Sequence, residues 1–178
     1  GKDAFAEVFF DDVRVPVANR IGTEGQGWHV AMATAGFERG LLLRSPARFQ
    51  ATARKLVALY KAHRASADRD PSLRDAVLET WMGAEAYALS AYHTVGRLSR
   101  GEQIGAESSI NKIIWSELDL KMHETAMRIL GGRGELVGKA SQAGDAAGWL
   151  EGFLFAQSGP IYAGTNEIQR NIIAERML

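Results

Sequence analysis

Between Gly25 and Ala126 apolar residues recur at steps of three and four, and this pattern commits most of the chain to long amphipathic helices. The first run passes through Trp28, Ala31, Ala35, Leu42, Leu56 and Leu59. The charged segment 63–70 interrupts it, and Pro71 suits the first turn of a second run in which Leu73, Val77, Trp81, Ala84, Ala88 and Val95 recur. Gly101 ends that run. A third places Ile110, Ile114, Leu118, Met122 and Ala126 on one face and stops at Gly131-Gly132, a left-handed exit. After a Gly-rich stretch, a shorter apolar piece over 149–155 leads to the breaker Ser158-Gly159-Pro160. A last helix starts near Thr165 or Asn166, where Thr, Asn and Glu suit an N-terminus. The expected fold is all-α: an up-and-down four-helix bundle with an additional carboxy-terminal helix.

The first fifteen residues follow another pattern. They read as strand, turn and strand around Asp11-Asp12. A strand needs partners for its backbone groups, and no other segment offers one. The expectation is a β-strand remnant of a preceding middle domain, and the opening Gly1-Lys2-Asp3 reads as the cut edge of a fragment. Residues 1–22 would be the tail of that β domain and 23–178 the helical bundle domain.

Composition excludes several functions. Lys+Arg and Asp+Glu both number 21, so no bulk charge favours nucleic acid or an anionic membrane, and any polyanionic ligand must be held locally. There is no cysteine, which removes disulfides and thiolate chemistry. His29, His63, His93 and His123 have no metal-ligand spacing, so no metal is expected. No stretch approaches the roughly 20 uninterrupted apolar residues that cross a bilayer.

The carboxy-terminal string from Ile161-Tyr162-Ala163-Gly164-Thr165-Asn166-Glu167 to Arg176-Met177-Leu178 closely resembles the terminal signature of acyl-CoA dehydrogenases. Three further segments resemble the same family in the same order. They are Val8 to Pro16 with Gly22 and Gly25-Gln26-Gly27-Trp28, then Phe37-Glu38-Arg39, then Ile129-Leu130-Gly131-Gly132-Arg133-Gly134. Together they span nearly the whole chain. The resemblance implies a three-part enzyme, with a helical domain, a β domain and a final four-helix bundle, assembled as a tetramer or dimer. FAD would lie between β domain and bundle and also touch a neighbouring subunit's bundle. It further implies an acyl-CoA substrate, electron-transfer flavoprotein as electron acceptor, and a cytoplasmic location in a bacterium or the matrix in a mitochondrion.

The family's chemistry needs a carboxylate base. In many members it is a glutamate between the Tyr and Gly of the terminal motif, and Ala163 stands there in this chain. Other members carry the base on the first bundle helix before an arginine, the position of Glu38 with Arg39 after it. The helical neighbours of Glu38 are Thr34, Ala35, Leu41 and Leu42, a weakly polar face on which lost hydration would raise a carboxyl's pKa toward that of a general base. An arbitrary helical glutamate is more often solvated or ion-paired. Arg39 either orients substrate or pairs with a carboxylate of another helix.

For the cofactor, the resemblance implies that Arg64 meets the FAD pyrophosphate, a task its planar fork suits and which Arg69 or Arg74 could also perform. Arg128 falls near the adenosine end, and Gly131 and Gly132 would let backbone approach the cofactor or merely end a helix. Thr165 and Glu167 match flavin-contacting positions, and also read as an N-cap and a first-turn acid. Trp81, Trp115, Trp149 and Phe153 read as core or subunit contact, and Tyr162 as motif or packing. Ala163 also suggests a silent partner subunit that has lost its base. A purely oligomerising bundle and a related flavin oxidase or monooxygenase are further readings.

Overall fold

The computed structural model describes residues 6–41, 44–102, 104–136 and 144–177, with the backbone alone over 35–41. Its helices are α1 (Gly27–Leu41), α2 (Pro46–Ala62), the single turn α3 (Arg64–Ala67), α4 (Pro71–Ser99), α5 (Glu107–Leu130), α6 (Trp149–Ala156) and α7 (Asn166–Met177). The chain divides into two compact units, one ending at Gly36 and one beginning at Phe37.

In the first unit Asp12, at φ 50°, makes the expected turn. The expected strands beside it do not form, and no strand is present among the described residues. Phe9 and Phe10 are exposed. The physical reason is the one the sequence supplies: a strand's backbone donors and acceptors gain nothing without a neighbour in the ladder.

The periodicity over 28–59 predicts one helix, whereas the chain forms two. Pro46 occupies the first turn of α2, and the residue before a proline avoids helical angles. Ser45 accordingly has φ −52° and ψ 120°. The second interruption falls where expected, with Asp70 capping α4 by accepting from the Ser72 amide at 3.0 Å ahead of Pro71.

Cross-links fix the packing of the second unit. Phe49 of α2 stacks edge-on against Tyr87 of α4 at 5.0 Å, and Gln50 donates to Glu85 at 2.9 Å, so the start of α2 meets the second half of α4. Ser90 donates to Asn111 at 2.8 Å while Lys121 pairs with Glu79, so α4 and α5 also run antiparallel. These helices approach closely. A Cβ on Gly83 of α4 would sit 2.9 Å from a Leu118 methyl, and one on Gly152 of α6 would sit 2.3 Å from the His123 ring.

Helix α5 is the hub, packing against α2, α4, α6 and α7. Its buried residues therefore lie on several sides: Trp115, Leu118, Met122 and Ala126, but also Lys112, Ser116, Asp119 and His123. Ile114, expected on its apolar face, is 37% exposed, and Trp115 takes the core position. Of the tryptophans read as core or subunit contact, Trp115 and Trp149 are buried in this core and Trp81 is 37% exposed. Each large apolar side chain buried here contributes roughly 1.5–3 kcal/mol of transfer free energy. No described helix is long and apolar enough to cross a membrane.

Candidate functional site

The terminal motif forms a tight turn leading into α7. Ala163 has φ 55° and Gly164 φ 83°, two successive residues with positive φ, the first of them carrying a Cβ. Gln169, fully buried, reaches back from α7 and donates to the carbonyls of Ala163 at 3.2 Å and Gly164 at 3.4 Å. A Cβ on Gly164 would lie 2.6 Å from that same amide nitrogen. The Thr165 hydroxyl accepts from the Ile168 amide at 3.3 Å and so caps the helix. The backbone amide of Glu167 and the Thr165 hydroxyl beside it hold the Glu167 carboxyl below the usual carboxylate range.

Beneath this turn lies a polar node of α5. The Lys112 ammonium donates to Asn166 Oδ1 at 2.6 Å, and the Ser116 hydroxyl donates to the same oxygen at 3.2 Å. The Asn166 amide donates to Glu117 at 3.3 Å, and Glu117 also pairs with Arg170. Tyr162, just before the turn, accepts from Arg44 at 2.5 Å. The Arg44 guanidinium sits 5.1 Å from the Trp115 ring centre and 5.7 Å from that of Tyr162, and the Tyr87 hydroxyl donates to the Arg44 carbonyl at 2.8 Å. Burial pushes the Tyr87 phenol up to about 12.

A second cluster lies at the far end of α5. Arg128 donates to Asp70 at 3.0 Å and to the Ser72 hydroxyl at 2.7 Å, tying the last turn of α5 to the first of α4. Ser72 is the main reason Asp70 titrates below the usual carboxylate range, with Arg128 adding to the effect. Gly131 then leaves the helix at φ 55° and ψ −138°, and a Cβ on either Gly131 or Gly132 would meet nothing within 4 Å. Arg64, largely exposed, donates to Asp68 at 3.1 Å, and Asp68 accepts from Tyr60 at 2.6 Å. These three residues, with Lys61 and Arg74, border a groove of about 550 Å³ whose apolar lining includes Val77 and Leu78. Beside it, His63 and Arg133 both hold Asp145, at 2.6 and 2.9 Å.

The candidate residues thus fall into two groups. Arg64, Arg128, Gly131 and Gly132 gather at one end of the unit, while Thr165 and Glu167 stand over Lys112, about 24 Å away along α5 at 1.5 Å per residue. Glu38 and Arg39 lie in the last turns of α1, and their side chains are outside the described residues. Sequence reasoning missed Lys112, Gln169 and Arg44, and read Asn166 only as a helix start. The one available signal was Lys112 itself, a charge set between Ser109 and Trp115 on a helix otherwise read by its apolar face.

Residues 25–178 match the family model described as acyl-CoA dehydrogenase, C-terminal domain. The acyl-CoA dehydrogenase IpdE1 of Mycolicibacterium smegmatis is 37% identical over 100% of this chain and 43% of its own length. Among solved structures, an acyl-CoA dehydrogenase from Geobacillus kaustophilus superimposes with a TM-score of 0.73 at 23% identity, over 95% of this chain and 43% of that one. PigA in its FAD complex gives 0.71 at 23% identity, over 94% and 43%. The chain spans less than half the length of these proteins.

Proposed function

Because the chain belongs to the acyl-CoA dehydrogenase family, we propose that it is the carboxy-terminal part of an FAD-dependent enzyme converting an acyl-CoA thioester to its trans-2-enoyl-CoA. In this reading residues 1–22 close a preceding β domain and 23–178 form the bundle domain. The base is Glu38, which takes the proton from the carbon next to the thioester carbonyl, with Arg39 beside it orienting the substrate. The observation that carries the assignment is Ala163. The motif turn is built in full, from the Tyr162 hydroxyl to the Thr165 cap, yet it presents a methyl group where many family members present a carboxylate.

The chain's own groups fit a diphosphate-bearing cofactor. Gly131 and Gly132 leave open space beside exposed backbone, the first-turn amides of α7 favour anionic atoms, and Arg64 offers a guanidinium that is mostly free to solvent. Bound FAD would supply the acceptor for the hydride leaving the β carbon. Thr165 and Glu167 would hold the cofactor from one subunit, and Arg64, Arg128, Gly131 and Gly132 from its neighbour. The 24 Å between the groups supports this division, on the same estimate of about 1.5 Å per residue. Such sharing requires a dimer or tetramer, and electron-transfer flavoprotein would then collect the electrons.

The test is anaerobic mixing of the FAD-loaded full-length parent protein with a panel of acyl-CoAs, followed by flavin absorbance. Wild type should bleach, and Glu38→Gln should bind FAD but not bleach. Equal bleaching by both places the base elsewhere. No bleaching with any substrate favours the second reading, a silent partner subunit, which Ala163 also motivates.

A further inference from the structure

Lys112 is 2% exposed, although lysine is almost never buried without an ionic partner. Its hydrogen-bond partner is the neutral Asn166 amide oxygen, and the carboxylates of Glu167 and Glu117, outside ion-pair distance among the described residues, favour its charge only through space. Loss of hydration holds the ammonium below the usual lysine range. A methionine would fill a similar volume with no charge to desolvate, so packing does not account for this residue.

What Lys112 achieves is geometric. Asn166 is 2% exposed and is held at three polar atoms: its Oδ1 by Lys112 and Ser116, its side-chain amide nitrogen by Glu117, and its backbone N–H by the Pro160 carbonyl at 2.9 Å. It is the first residue of α7, set between Thr165 and Glu167. We infer that Lys112 is a positioning residue for the cofactor: by clamping Asn166 it fixes the rotation of the first turn of α7, and hence the direction in which Thr165 and Glu167 face. This rests on Thr165 and Glu167 being the FAD contacts proposed above. It accounts for a lysine rather than an apolar residue, because Lys112 brings a second, charged donor to the Asn166 oxygen that Ser116 already reaches from the same helix. Gln169 holds the other side of the same turn, so the segment 163–169 is fixed from two directions.

The experiment compares wild type, Lys112→Met and Lys112→Gln in the full-length parent protein. Three readouts are taken: the FAD dissociation constant from flavin fluorescence, the visible flavin spectrum, and hydrogen exchange of the Ile168 and Gln169 amides. Both amides bond to Thr165, at 3.3 and 3.0 Å. Lys112→Met should weaken FAD about tenfold or more, shift the flavin band and speed that exchange, as expected for loss of a charge-assisted hydrogen bond. Lys112→Gln, which keeps a donor, should recover much of the affinity and the wild-type spectrum. Wild-type FAD affinity and spectrum in Lys112→Met would overturn the inference, and so would its failure to fold, since either result leaves Lys112 without a positioning role. If the wild-type parent binds no FAD, the cofactor reading fails by itself. Faster exchange in Lys112→Met would still uphold the clamp on Asn166, and unchanged exchange would sink it.

Discussion

The two ends of α5 deal with polar groups in opposite ways. Near its start, Lys112, Ser116 and Asn166 are buried and satisfy one another through short, shared hydrogen bonds. Near its end, Arg128, Asp70 and Ser72 make bonds of similar length, but Arg128 and Asp70 remain about half exposed. Equal distances therefore do not mean equal consequences. Water competes for every bond at the exposed end and can replace whichever partner is lost. At the buried end nothing replaces a lost partner, so its geometry is fixed.

The largest effect should come from orphaning the buried charge. Asn166→Leu removes the acceptor of Lys112 and should cost about 3 kcal/mol in a denaturant titration. Lys112→Met added to Asn166→Leu should recover most of that loss, because the penalty belongs to the unpaired ammonium. A double variant as unstable as the single would break the contrast. Next come the glycines of the two ends. Gly164→Ala combines φ 83° with a Cβ 2.6 Å from Gln169 and should cost about 2–3 kcal/mol, whereas Gly131→Ala meets no neighbour and carries only the strain of its own φ 55°, about 1–2 kcal/mol. Equal losses would show that the exposed end is as constrained as the buried one.

The smallest effect sharpens the comparison through pH. The folded-state pKa of Asp70 is depressed, so the stability it contributes is present above its unfolded value, about 3.9, and is lost as pH falls through the lower folded value. Thermal midpoints followed downward from about pH 6 should decline less steeply in Asp70→Asn than in wild type over that acid window. Identical slopes would remove Asp70 from the acid response.

The helices were legible in the sequence because each announces itself locally. Pro71 and Gly101 bound α4, Gly131 ends α5, and the buried stripe Leu73, Val77, Ala84 and Ala88 repeats at helical steps. The break at Ser45-Pro46 is equally local, since the proline itself imposes it. The rest required three dimensions. Nothing near Lys112 in the chain reveals Asn166, 54 positions later, and nothing near Arg44 reveals Tyr162, 118 positions later. Such contacts depend on which faces of α5 the other helices choose. A hub helix buried on several sides gives a weak periodic signal for that choice.

The left-handed residue at position 163 bears on which side chains the turn can carry. Most of the conformational strain of that turn comes from a Cβ held at positive φ, and alanine already has one. Lengthening the side chain beyond Cβ adds little further backbone strain. Alanine at this position therefore already meets the backbone cost that a longer side chain would meet there, so the turn's conformation does not by itself dictate what position 163 carries beyond its Cβ.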